Sequence, residues 1–147
     1  MADYFTNFSL AFKLKDTKGH QYALELANQA SDHRLNDEPV PNGFPTDLAD
    51  MLEDWSFETE VDDDGIWLHS EYGGIDAACV FIKYLLQQFD PKGCVTFEWS
   101  HDCSRPRTDA YGGGAAIVTA HEIKTMNTAD WIRSNLPVPN PQPSTNQ

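Results

Sequence analysis

The chain has 147 residues, 40% of them hydrophobic and 12% aromatic, and a formal net charge of −13. That length is one domain with a real core, and a charge of that sign excludes direct binding to nucleic acid or to an anionic membrane surface. No apolar run reaches the length of a membrane span and the start "MADYFTNFSL" lacks the pattern of a secretory leader, so a cytoplasmic protein is expected.

Phe8, Leu10, Phe12 and Leu14 alternate with Ser9, Ala11 and Lys13, the period of a half-buried strand. Asp16, Lys18 and Gly19 are expected to turn the chain. Tyr22, Ala23, Leu26, Ala27 and Ala30 then recur at helical spacing. That helix fades in "LNDEPVPNGFP", after which Leu48, Met51, Leu52 and Trp55 form a second, shorter helical stripe, with Asp47 near its N-terminus.

"WSFETEV" and "IWLHSEY" are two alternating runs joined by "DDDG", a hairpin signal that favours a primed turn at Asp-Gly. Phe57, Thr59 and Val61 are expected on one face and Glu58, Glu60 and Asp62 on the other. On the second strand, Ile66, Leu68 and Tyr72 are expected inward, and Trp67, His69 and Glu71 outward. From Leu35 to Ile82 there is no Lys or Arg, whereas Asp and Glu number thirteen, as many as the net charge of the whole chain.

Beyond Gly73 and Gly74, the residues Ile75, Ala78, Cys79, Ile82, Leu85, Leu86 and Phe89 make a wide apolar helical stripe, ended by Asp90, Pro91 and Gly93. Cys79 lies on that stripe and reads as a small core residue. A strand follows, with Val95, Phe97 and Trp99 inward and Thr96, Glu98 and Ser100 outward. The stretch "SHDCSRPRTDAYGGG" is expected to be a long hairpin loop with Gly112, Gly113 and Gly114 supplying turns and close backbone approach, and "AAIVT" the returning strand. Thr119 and Glu122 have capping-box spacing, which predicts a closing helix carrying Ile123, Met126, Trp131, Ile132 and Leu136. Residues 1–136 thus form a single domain and 137–147, "PVPNPQPSTNQ", a Pro-rich flexible tail.

The order strand, helix, hairpin, helix, hairpin, helix predicts an α+β fold. It is a mainly antiparallel sheet with helices on one face, ferredoxin-like (a split βαβ unit) with an added strand. Its uncovered face and acidic hairpin would present Glu58, Glu60, Asp62, Asp63, Asp64, Trp67, His69, Glu71, Glu98 and Asp102, the candidate partner-binding residues. Sheet faces of this kind bind RNA through aromatics only with basic residues beside them, and here the sign is opposite.

The chemistry-bearing residues of "SHDCSRPRTDAYGGG" do not assemble a site. The three glycines do not lead from a strand into a helix with a Lys, so the phosphate-loop reading fails. His101 and Cys103, with Asp102 or Asp109, lack an orienting partner for nucleophilic catalysis, and Cys79, Cys94 and Cys103 contain no CxxC pair, so no zinc site, other metal or cofactor is expected. Arg105 and Arg107 are placed to pin the loop by pairing with acidic strands.

The run "FEWSHDCSRPRTDAYGGGAAIVTAHEIKTMNTADWI" resembles the C-terminal signature of small, acidic, largely uncharacterised proteins of phages and plasmids. The resemblance covers roughly the last third of the chain, carries no catalytic residue, and implies a mobile-element accessory protein working in the host cytoplasm. Small acidic proteins of that origin include inhibitors of host defence, anti-CRISPR proteins among them, that act as DNA mimics or channel blockers. The expected function is therefore a non-enzymatic module binding a basic, nucleic-acid-handling protein. The alternatives are a small hydrolase or transferase using the His101 and Cys103 loop, and a self-associating protein, in the simplest case a homodimer, paired through its open face or an edge strand.

Overall fold

The computed structural model describes residues 2–108 and 110–138. Asp109 and residues 139–147, which hold most of the expected tail, lie outside the described residues. The chain runs β1 (Tyr4–Phe12), α1 (Lys18–Asn36), α2 (Thr46–Ala49), a single 3-10 turn (Leu52–Asp54), β2 (Glu58–Asp62), β3 (Gly65–Ser70), α3 (Ile75–Phe89), β4 (Cys94–Cys103), β5 (Gly112–Thr119), β6 (Ile123–Asn127) and α4 (Thr128–Asn135). The strands form one sheet in the order β2-β3-β1-β4-β5-β6, every named pair antiparallel. The fold is α+β. The connection through α1 carries the chain from β1 to β2, past β3, and the connection through α3 carries it from β3 to β4, past β1.

Alternation decides which sheet face is buried. Phe8 and Leu10 of β1, Ile66 and Leu68 of β3, Val95 and Phe97 of β4, and Ala116 and Val118 of β5 all enter the core, joined by Ala23, Leu26, Ala27 and Ala30 of α1 and by Ala78, Phe81, Ile82 and Leu85 of α3. Phe81 is fully buried and meets Trp55 at a ring-centroid distance of 4.8 Å; Trp55 stacks in turn on Phe57 at 5.0 Å. Each such ring stabilises the fold by about 1.5 to 3 kcal/mol through burial alone. Buried His20 accepts the Leu14 N–H at Nε2 over 3.0 Å, so the chain leaving β1 is fastened to the start of α1.

Several expectations are corrected. Gly19 sits in the first turn of α1 and not in a turn before it, at a point where an added Cβ would press on the Leu14 and Phe89 side chains. The hairpin of β2 and β3 pairs Asp62 with Gly65, so Asp63 and Asp64 are its turn, and neither has positive φ. Gly65, at φ +122, opens β3 where a Cβ would run into the Phe12 carbonyl. The long loop is shorter than expected: β4 continues through His101, Asp102 and Cys103, and Gly112, Gly113 and Gly114 lie inside β5.

The largest change concerns the C-terminus. Ile123–Asn127 is a sixth strand, not the first turn of a helix. Thr119 Oγ1 accepts the N–H groups of His121 and Glu122 and so closes a turn between β5 and β6, and the helix begins only after Asn127. Two strands, not one, therefore follow β4 in the sheet.

Candidate partner-binding face

Strand pairing places the exposed residues opposite the core on a common face. Glu58 pairs with His69, and Glu60 with Trp67. His69 pairs with Ser9, and Trp67 with Ala11. On the other half of the sheet Glu98 pairs with Ala115 and Thr96 with Ile117, and Ala115 pairs with Met126. Because directly opposed residues project to the same side, Glu58, Glu60, Trp67, His69 and Glu98 share one face with Ser9, Ala11 and Ile117. Glu71 follows β3 and is exposed. None of these residues belongs to the hydrophobic core.

Trp67 and His69 form the centre of the acidic half. Their rings stack at 4.0 Å with 28° between planes, and Trp67 remains 42% exposed. The indole N–H donates to Ser9 Oγ over 2.8 Å, and His69 Nε2 lies 2.9 Å from Glu60 Oε2. These contacts fix the orientation of an aromatic pair and leave the Glu58 and Glu71 carboxylates beside it. A concavity of about 370 Å³ adjoins the pair, lined by Ser9, Ser56, Glu58, Trp67, His69, Ser70, Glu71 and Tyr72.

The remaining expected residues fall into two groups. Asp62 Oδ1 accepts the Asp64 N–H at 2.7 Å, so Asp62 shapes the hairpin turn whose tip exposes Asp63 and Asp64. Asp102 is partly buried at the far end of β4, where its Oδ2 accepts the Asn7 side-chain amide over 3.0 Å. Tyr72 was expected inward with Leu68. It is 70% exposed, because β3 ends at Ser70 and the chain bends away through Gly73 and Gly74, both at positive φ.

His101 and Cys103 alternate with Asp102 along β4 and project to the opposite side. His101 Nδ1 is 2.9 Å from Thr6 Oγ1. Strand alternation thus separates Asp102 from His101 and Cys103, while Asp109 lies outside the described residues. Among the described residues no group of three or more His, Cys, Asp or Glu is placed to hold a metal ion, and no helix is long and apolar enough to cross a membrane. Arg105 and Arg107 are exposed and do not enter the ion pairs found among the described residues, so the expected pinning of the loop is not formed there.

Sequence reasoning missed the middle of this face. Ser9, Ala11, Thr96, Ala115 and Ile117 surround a second concavity of about 570 Å³ that also reaches Leu10, Phe97, Glu98 and Ala116. Their common feature is an uncharged side chain at an outward position, and their adjacency is visible only once the strand order is known.

Comparison with protein-family models, curated proteins and solved structures finds no match for the chain.

Proposed function

We propose that the protein is a non-enzymatic binding module whose acidic sheet face docks on the basic surface of a nucleic-acid-handling protein. The observation that carries this reading is the clustering of Glu58, Glu60 and Glu71 around exposed Trp67, with Glu98 beyond β1 on the same sheet face outside the core. Carboxylates held at strand spacing attract a surface that normally receives phosphates. An exposed indole among them supplies apolar contact and a cation-binding ring for Lys or Arg.

The first four strands, in the order β2-β3-β1-β4 with two helical crossovers, fit a ferredoxin-like split βαβ unit, to which β5 and β6 are added. The mobile-element origin implied by the C-terminal resemblance makes a host-defence complex the natural partner, and charge complementarity makes the protein a competitor of the nucleic acid that such a complex binds. The working compartment in this reading is the host cytoplasm.

Capture from a native-host extract on the immobilised protein, followed by competition with duplex DNA, tests the proposal. The expected result is a basic protein displaced by DNA and lost when Glu58→Lys and Glu60→Lys are combined. Turnover of a small molecule by the purified chain, with no basic protein retained, would overturn it.

A further inference from the structure

The ladder between β1 and β4 is incomplete. It runs from Tyr4 and Cys103 to Asn7 and Ser100 and stops there, although β1 continues to Phe12 and β4 starts at Cys94. Over that length β1 is still paired with β3 on its other edge, and β4 with β5 on its own. The edges that the two strands turn toward each other therefore have no ladder partner, and the concavity of about 570 Å³ lies along this interruption.

The slit is closed at both ends. Above it stands the Asn7 and Ser100 pair; below it, the Asp16 N–H donates to the Phe89 carbonyl over 3.1 Å and the Lys15 N–H to Asp90 Oδ2 over 3.2 Å. Leu10 and Phe97, whose side chains belong to the core, form its floor, and the outward-facing Ala11, Ala115 and Ile117 give its walls an apolar part. Beside these walls stand the polar Ser9 and Thr96 and one negative group, the Glu98 carboxylate.

The geometry points to this slit as the anchor pocket for one arginine side chain of the partner. The inference rests on the proposed docking of a basic surface and names the side chain that face receives. A closed slit admits a side chain, not a through-running strand. Arginine brings an apolar stem for Ala11, Ala115 and Ile117, and a planar group of five N–H donors that matches the Glu98 carboxylate bidentately. Lysine offers the same charge as a compact, strongly hydrated point and lacks that fork. Buried arginines are typical energetic anchors of interfaces.

The test uses two synthetic peptides of equal length and charge, alternating glycine with arginine in one and with lysine in the other, titrated into the full chain at low salt. The expected result is at least tenfold tighter binding of the arginine peptide, with amide NMR shifts at Ser9, Ala11 and Thr96. Ala11→Leu, which adds bulk at the mouth of the slit, and Glu98→Gln should each remove that preference. Circular dichroism and thermal melting confirm that both variants are folded. Equal binding of the two peptides without shifts at the slit overturns the arginine pocket and leaves acidic docking standing. Failure of both peptides to bind overturns both.

Discussion

At the residue scale, three cysteines in one chain behave differently because their surroundings do. Cys79 is 2% exposed on the core side of α3, and burial, helped by the nearby Asp76 carboxylate, pushes its thiol up to about 12. The thiolate is the reactive form. In native protein at pH 8 a thiol reagent should therefore modify Cys94, which is exposed, and Cys103, which is partly buried, and leave Cys79 untouched until denaturant is added. Rapid modification of three thiols in the native state would contradict the burial. A raised thiol pKa also has a defined consequence for stability. The contribution is intact below the ordinary value of 9.0 and is lost as pH rises toward 12, where the unfolded chain ionises first. In the proposed binding role Cys103→Ser should leave partner binding within about twofold, since Cys103 is partly buried at the end of β4, away from the acidic residues around Trp67.

Gly113 belongs to the same scale. It does not have positive φ; Gly112 does, at +134. A Cβ at position 113 would instead collide with the Trp99 carbonyl across the β4 and β5 ladder. Gly113→Val should lower stability by about 2 kcal/mol or more, as backbone strain and overpacking commonly do, measured by urea unfolding at constant slope. An unchanged midpoint would mean that the two strands are not this close. The sequence reads the three glycines as turns and close backbone approach. Close approach holds at Gly113 and Gly114 and positive φ at Gly112, but inside a strand, against pairing partners that the local sequence does not name.

At the element scale, strong amphipathic periods were legible and ambiguous capping chemistry was not. The stripe of α3 and the alternation of β2, β3 and β4 follow from the 3.6 and 2.0 residue periods, and these elements lie where those periods put them. Thr119 and Glu122 misled because a Thr hydroxyl accepting backbone N–H groups two and three residues ahead closes a turn as well as it caps a helix. The true cap is Asn127, whose Oδ1 accepts the Asp130 N–H at 2.8 Å and whose amide donates to the Asp130 carboxylate. That amide and Arg133 hold the Asp130 carboxyl below its ordinary value of 3.8. The stabilising contact is thus present above that value and lost as pH falls below it. Because α4 has no buried residue, its amide protection in hydrogen exchange should fall on acidification and in Asn127→Ala, with little change in the global melting temperature. Phe81→Ala on α3 should behave oppositely, costing about 3 to 5 kcal/mol globally, because it empties the space against the stacked Trp55 and Phe57 rings.

At the scale of the whole molecule, charge asymmetry and sheet order act together. The residues from Leu35 to Ile82 carry thirteen carboxylates and no Lys or Arg, and they build one end of the sheet, through β2 and β3. The sequence disclosed that end because charge and alternation are local properties. It did not disclose the slit between β1 and β4, because those strands are separated by most of the chain and their ladder stops without any breaker residue between Asn7 and Phe12. Self-association through the acidic face would bring like charges together, so the face itself should remain unpaired in a homodimer at low salt.

The central claim, that this acidic face docks on a basic partner, is tested most directly by the association rate constant with the captured partner. It is to be measured over a salt series for wild type and for the Glu58→Lys, Glu60→Lys double variant. The account predicts a wild-type rate that falls steeply with salt, and a variant whose association slows by about tenfold or more at low salt while dissociation changes less. Rates that do not depend on salt and are the same for both proteins would contradict it.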